Sequence, residues 1–504
     1  MFLIVVGTGL LSLGVSFWQI TRPELVGVYD SGVYLAGSIR LVSGSLPYRD
    51  FVFVQPPGIL ILLSPAAVIS RIFGTHDGLI VARLMTSVIS ALNVSLVCVL
   101  VRHRGRAAML IAGLGLAFMP IVSDISSALF LEQYVVFFVL LGAVVIFSPL
   151  ASRARTLNGS LALGGALFGF AGLVKIWAIF PFVAMIVCLA LTHRKRVVVF
   201  VGAAVATFSA FALPFVLSAP GNFLHQVLVA QLTRKPFSGD AAGVVARLAG
   251  MTGLALTQFA PGTFGVVVIF GVLLCIVALG YSRRVARNDT DLFILVAAVF
   301  VTWGILAGPV FYPHYAAFVV PFLVVLAAVS IGRVRESLGP LTRGFTVSRS
   351  LRRFVSWGAT VAFVGVVVGI VMWSGIFYSS VGEMSGYAVL SKIPQLIPPG
   401  ACVVYDNVGY GILENRFFSD DAACPKVIDP IGTRLLGGNE TTTPGPGLVR
   451  QWKGYFEAAQ YVVTNSPEFS AIPTDKSLQS WFQRNYHVLY NSSYLQIFEH
   501  NASS

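Results

Sequence analysis

The feature that most restricts this chain is a series of apolar runs, separated by short basic connections, at 2–20, 79–101, 107–123, 129–149, 160–174, 176–192, 197–218, 263–281, 290–308, 315–332 and 354–378. A helix needs about 20 mostly apolar residues to cross the ~30 Å hydrocarbon core of a bilayer. Lipid offers no partner to backbone N–H and C=O groups, so such runs are read as helices that satisfy themselves. Only 11% of the 504 residues are charged, against about 25% in soluble domains, which excludes a large soluble enzyme. The net charge of +13 could suggest nucleic acid, yet half of the 34 Lys and Arg fall in five connections at 102–106, 150–159, 193–196, 282–289 and 333–353. Basic connections of this kind face the cytoplasm, so the partner is a lipid bilayer and no nucleic-acid partner is expected.

The segment 57–73 is also apolar. The five basic connections share one side only if it does not cross, so it is read as an amphipathic or re-entrant helix on the outer surface, interrupted at Pro65. The expectation is a polytopic α-helical membrane protein of about eleven crossings. Its N-terminus is inside, the outer loops are 21–78 and 219–262, and the first run, without a basic flank or A-x-A-like cleavage site, stays as an uncleaved helix. From about Ser379 the composition is that of a folded domain: ACVVYD and QYVVTN read as strands, LVRQWKGYFEAA and LQSWFQRNY as amphipathic helices. The expected organisation is therefore a membrane domain over 1–378 and a small extracytoplasmic α/β domain over 379–504. A Cys402–Cys424 disulfide is expected there, in an oxidising compartment. No CxxC or HExxH spacing occurs.

With this topology the outer side collects Asp30, Asp50, Asp124, Glu132, Lys175, Arg234, Lys235, Tyr312, His314 and Tyr315. Each has a plain structural role open to it. Asp30 could cap a helix starting at Ser31, Asp50 could pair with Arg49 or end a turn, and Glu132 suits a helix N-terminus. Lys175 could reach for the interface, Arg234 and Lys235 could meet lipid head groups, and His314 could be an interfacial histidine. Ionisable groups near membrane depth are costly and tend to be functional. A carboxylate base beside a cationic phosphate clamp is what sugar transfer from a lipid phosphate requires.

The order of motifs after the first run is D-x-G-x-Y at 30–34, G-x-L-P-Y-R-D-F at 44–51 and Q-P-P-G at 55–58. It resembles the first outer loop of the GT-C membrane glycosyltransferases, in the branch of protein O-mannosyltransferases and the lipid A aminoarabinose transferase. RIFG…VARLMTS, GALFGFAGLVKIWAIFPF and FYPHYAAFVVPFLVVLAA extend the resemblance to about residue 335. It implies an inverting transfer of a sugar, of mannose or arabinose type, from a polyprenyl-phosphate donor to an envelope glycan, glycolipid or protein acceptor at the outer face of the cell membrane. Asp30 falls at the position of the general base, Asp50 becomes a supporting acid, and Asp124 or Glu132 the second acid. Arg234 and Lys235 take the donor phosphate, with Lys175, His314, Tyr312 and Tyr315 beside them. Relatives commonly carry Lys or His before the Pro-Pro pair where this chain has Gln55, so Arg49 is the nearest substitute cation. No cofactor is expected; the acids could hold a divalent metal, but the chemistry does not require one. The alternative is a membrane transporter or lipid-linked sugar flippase, which would show inverted repeats and broken helices; no repeat is found in the sequence.

Overall fold

The structure, a computed structural model, describes residues 1–20, 29–148, 154–234, 243–254, 262–282, 288–338, 389–436, 444–465 and 471–501. The expected crossing at 354–378 and Lys235 lie outside them. In the first part of the chain the helices are α1 (Phe2–Ile20), α2 (Tyr29–Val42), α3 (Gly58–Leu62), α4 (Ser64–Phe73), α5 (Thr75–Val101), α6 (Gly105–Ala117), α7 (Pro120–Ser126) and α8 (Leu131–Ile146). They continue with α9 (Ala154–Val174), α10 (Ile179–Thr192), α11 (Val197–Ser218), α12 (Pro220–Leu224), α13 (Ala230–Leu232), α14 (Val244–Met251), α15 (Thr263–Ser282), α16 (Asp289–Ala307) and α17 (Ala316–Leu338). Among the described residues six helical stretches are long and apolar enough to cross a membrane: Thr75–Ala117, Leu157–Val174, Arg194–Ser218, Thr263–Ser282, Asp289–Ala307 and Pro313–Ser337. Phe2–Phe17, Leu131–Ile146 and Ile176–Thr192 are shorter apolar helices.

The chain forms two compact units. The first comprises Met1–Gln19, Thr86–Ala210 and Ala242–Val381. Within it the part of Thr75–Ala117 from Thr86 onward is a hairpin and not one rod, because the Cys98 thiol reaches the Met109 carbonyl at 3.3 Å. The chain turns back at Gly105, whose φ of +88° only glycine adopts freely. Helices α9 and α11 meet backbone to backbone. A methyl on Gly165 or Gly169 would stand 2.2 Å from the carbonyl oxygen of Phe200 or Ala204, the small-xxx-small solution to packing where water supplies no drive.

The second unit comprises Ile20–Met85, Phe211–Ala241 and Gly382–Ser504. Here 57–73 is two short helices, α3 and α4, of 5 and 10 residues; at about 1.5 Å per residue neither reaches across ~30 Å of hydrocarbon. The last part adds α18 (Lys392–Leu396), α19 (Val408–Leu413), α20 (Pro430–Leu436), α21 (Pro446–Ala458) and α22 (Lys476–Asn485). Its four strands are β1 (Val403–Tyr405), β2 (Tyr461–Asn465), β3 (Tyr486–Asn491) and β4 (Leu495–His500), in the order β1-β2-β4-β3. β1 runs parallel to β2, with Val404 opposite Val462, and the other pairs are antiparallel. Trp452, Phe456 and Phe482 cluster with Val404, Val462 and Phe498 of the sheet. A disulfide joins Cys402 to Cys424.

Candidate functional site

Helix α2 carries the D-x-G-x-Y motif, and Asp30 lies inside its first turn rather than ahead of it as a cap. Nine consecutive residues, Ser31–Ile39, are buried, so α2 is enclosed on every side. Its glycines make this possible. A methyl on Gly32 would stand 2.4 Å from the Gly409 amide nitrogen of α19, and one on Gly37 would stand 2.8 Å from Leu60 of α3. The Asp30 carboxylate is half-buried, with the Tyr34 hydroxyl one turn on at 3.5 Å.

The residue before it, Tyr29, is anchored from the far end of the chain. Its hydroxyl donates to Asp429 Oδ1 at 2.8 Å and accepts the Ile431 N–H at 2.9 Å. Asp429 also accepts the Gly432 N–H at 2.8 Å. Burial pushes the Asp429 carboxyl above the usual carboxylate range, against the opposing pull of the Gly432 N–H, the Tyr29 hydroxyl and the Arg234 charge. Burial, followed by the Asp429 charge, holds the Tyr29 phenol well above its usual value. Neither residue stands out in the sequence: the partners are 400 positions apart, and no local spacing signals the pair.

The remaining first-loop motif is a turn held by its own side chains. Tyr48 adopts φ +69°, a left-handed conformation costly for a bulky residue, and its hydroxyl donates to the Gln55 carbonyl at 2.7 Å. Asp50 accepts the Leu46 N–H at 2.7 Å and two hydrogen bonds from Arg49 at 2.9 Å. The Arg49 hydrogen bonds hold the Asp50 carboxyl below the usual carboxylate range, against burial. Arg49, the substitute cation for Gln55, is thus engaged with Asp50. Three amides after α11 lace the turn in place: Asn222 donates to the Tyr48 carbonyl, Gln226 accepts the Phe53 N–H, and Gln231 donates to the Val54 carbonyl, at 2.7–2.9 Å. Arg234 follows three residues later, half-buried.

In the first unit the expected Glu132 and Lys175 are a buried ion pair in direct hydrogen-bond contact. The Lys175 ammonium lies 3.7 Å from the centre of the Trp177 ring and 4.7 Å from that of Tyr315, so two aromatic faces and one carboxylate box it. His314 stacks between Phe130, at 4.6 Å, and Tyr312, at 5.7 Å. Tyr312, His314 and Tyr315 belong to the turn after α16, which Arg247 closes. Its guanidinium, buried, donates to the carbonyls of Ile305, Leu306 and Gly308, the last acceptors of a helix that has no further N–H to offer them. Arg247 escaped the sequence reading because a lone arginine in an apolar loop gives no sign of which carbonyls it will meet. Asp124 lies on α7. Among the described residues no three His, Cys, Asp or Glu side chains come together in a way that could hold a metal.

No protein-family model matches the sequence, and no curated protein matches it. Solved structures do. ArnT from Cupriavidus metallidurans bound to undecaprenyl phosphate superposes at TM-score 0.60 and 17% identity, covering 100% of this chain and 98% of that one. The Archaeoglobus fulgidus oligosaccharyltransferase complexed with Zn and sulfate gives TM-score 0.53 at 12% identity, over 99% of this chain and 73% of that one. The archaeal oligosaccharyltransferase AglB from the same organism, with an inhibitory peptide and a dolichol-phosphate, gives 0.51 at 13%, over 92% and 69%. All three are GT-C proteins, and this chain shares their fold.

Proposed function

We propose that this protein is a glycosyltransferase that moves a sugar from a polyprenyl-phosphate donor to an acceptor at the extracytoplasmic face of the cell membrane. The observation that carries this reading is the end-to-end match to a relative solved with undecaprenyl phosphate bound, with Asp30 in the enclosed first-loop helix. In the proposed step the acceptor hydroxyl oxygen attacks C1 of the sugar while Asp30 takes its proton. The bond from C1 to the phosphate oxygen breaks on the opposite face, the anomeric configuration inverts, and the polyprenyl phosphate leaves with its electron pair. Arg234 and Lys235 receive the developing phosphate charge. Within the first unit the Lys175 charge is balanced by Glu132. Eleven crossings, with an extracytoplasmic α/β domain over 379–504, complete the proposed topology. The acceptor is an envelope glycan, glycolipid or protein, and the sugar is of mannose or arabinose type. A transporter or flippase draws no support from the structural relatives.

The test is Asp30→Asn, assayed in membranes with radiolabelled polyprenyl-phosphate sugars. Loss of a general base costs about 10²–10⁴-fold in rate; turnover near wild type would sink Asp30 as the base.

A further inference from the structure

The first unit holds a second polar feature, at the other end of its helices from Glu132 and Lys175. Glu132 opens α8 and Lys175 precedes α10, whereas a cavity of about 620 Å³ is lined by the last turns of those helices and the first turn of α16. Its walls are apolar, from Leu100, Val144, Leu161 and Leu189 among others, and its polar rim is Arg102, His103, His193, Asn288, Asp289 and Thr290. These rim groups differ in how far they are already satisfied. His103 is bonded to Asp291 at 2.7 Å, and Asp291 is otherwise closed off by Arg104 and Arg333. Asn288 caps α16 through the Thr290 N–H at 2.8 Å. His193 stands 3.4 Å from Asp289, whose side chain is 38% exposed. The Arg102 side chain makes no hydrogen bond or ion pair with any described residue. The cavity therefore offers a cation without a partner, a part-exposed carboxylate and a long apolar wall.

We propose that this cavity seats the headgroup of a zwitterionic membrane phospholipid, its phosphodiester on Arg102 and its primary ammonium on Asp289, with the acyl chains along the leucine and valine wall. A purely anionic headgroup would set its charge against Asp289, and a soluble ligand would leave the apolar wall unexplained. Basic pockets between helices at the end of a bundle with basic connections are suited to lipid phosphates, and the connections at 102–106 and 193–196 flank this one. The inference does not depend on the transferase reading.

The experiment is a thermal-shift titration of the delipidated, detergent-solubilised full chain with phosphatidylethanolamine, phosphatidylglycerol or soluble phosphoethanolamine. Phosphatidylethanolamine is expected to raise the midpoint at the lowest concentration. Arg102→Gln should weaken that response about tenfold or more, the scale of one charge-assisted contact, and Arg102→Lys should retain it. Asp289→Asn should erase the preference over phosphatidylglycerol. Equal titration of Arg102→Gln and wild type, or no shift with any lipid, would overturn the site. An equal shift from soluble phosphoethanolamine would overturn the lipid, and an unchanged preference in Asp289→Asn would overturn the ammonium contact.

Discussion

Replacing Tyr29 by Phe removes one oxygen atom that two buried groups use at once. The Asp429 carboxylate loses a donor at 2.8 Å and the Ile431 N–H loses its acceptor at 2.9 Å, with the ring left in place to fill its space. Leaving a buried polar group unsatisfied costs about 1–3 kcal/mol, so Tyr29→Phe should destabilise the protein by roughly 2–4 kcal/mol. Asp429→Asn separates charge from shape, since the amide oxygen can still accept both N–H and hydroxyl. Because burial holds the Asp429 carboxyl above its usual range, the folded state binds a proton that the unfolded state has already lost. Stability therefore falls as pH rises from the ordinary carboxylate range through the raised value, then levels. Glu414, also raised by burial, adds a slope of the same sign, so the difference between wild type and Asp429→Asn is what isolates Asp429. Denaturant melts of the detergent-solubilised protein across pH read both effects, and transfer assays on the same samples read the coupling to Asp30. A Tyr29→Phe protein within about 0.5 kcal/mol of wild type, or an Asp429→Asn protein that keeps the full slope, would refute the anchoring role.

Three further outcomes follow from named contacts. Lys175→Met should cost roughly 3–5 kcal/mol, because Glu132 is left as an uncompensated buried charge. The double variant Lys175→Met/Glu132→Leu should recover much of that loss in thermal melts; an additive double loss would show that the pair is not coupled. Arg247→Ala should lower the melting midpoint and loosen the 309–315 turn, seen as faster hydrogen exchange there, since it leaves the buried Ile305 carbonyl and the part-buried Leu306 carbonyl without their donor. Unchanged exchange in that turn would exclude Arg247 as its clamp.

What the sequence made legible is what physics writes locally. The non-crossing segment 57–73 and the strands near 401–406 and 460–465 follow from the one side that the basic connections share and from buried β-branched runs. The strands at 486–491 and 495–500 pass unnoticed because YHVLYN lies on the exposed edge and LQIFEH, though interior to the sheet, interrupts its buried Leu495, Ile497 and Phe498 with polar residues. The first-loop acids divide for a similar reason: Asp50 finds its partner next door, in Arg49 and Leu46, whereas the helix that carries Asp30 is held by the Tyr29–Asp429 bond and by the α19 backbone at Gly32. Arg104 and Arg333 read as solvated loop cations by position, yet they enclose Asp291. Charge counting sees their sign but not which carboxylate folds in between.

The close approach of Gly32 to Gly409 also sets a timetable for making the protein. The helix that carries Asp30 leaves the ribosome early, while the amide that covers its glycine face and the carboxylate that holds Tyr29 come nearly 400 residues later. At about 5–20 residues per second, α2 waits on the order of 20–80 s before its covering arrives. During that interval a small, uncovered, glycine-bearing helix face is open to wrong partners. A truncation that stops before Gly409 would leave it so permanently, even with every first-loop residue in place.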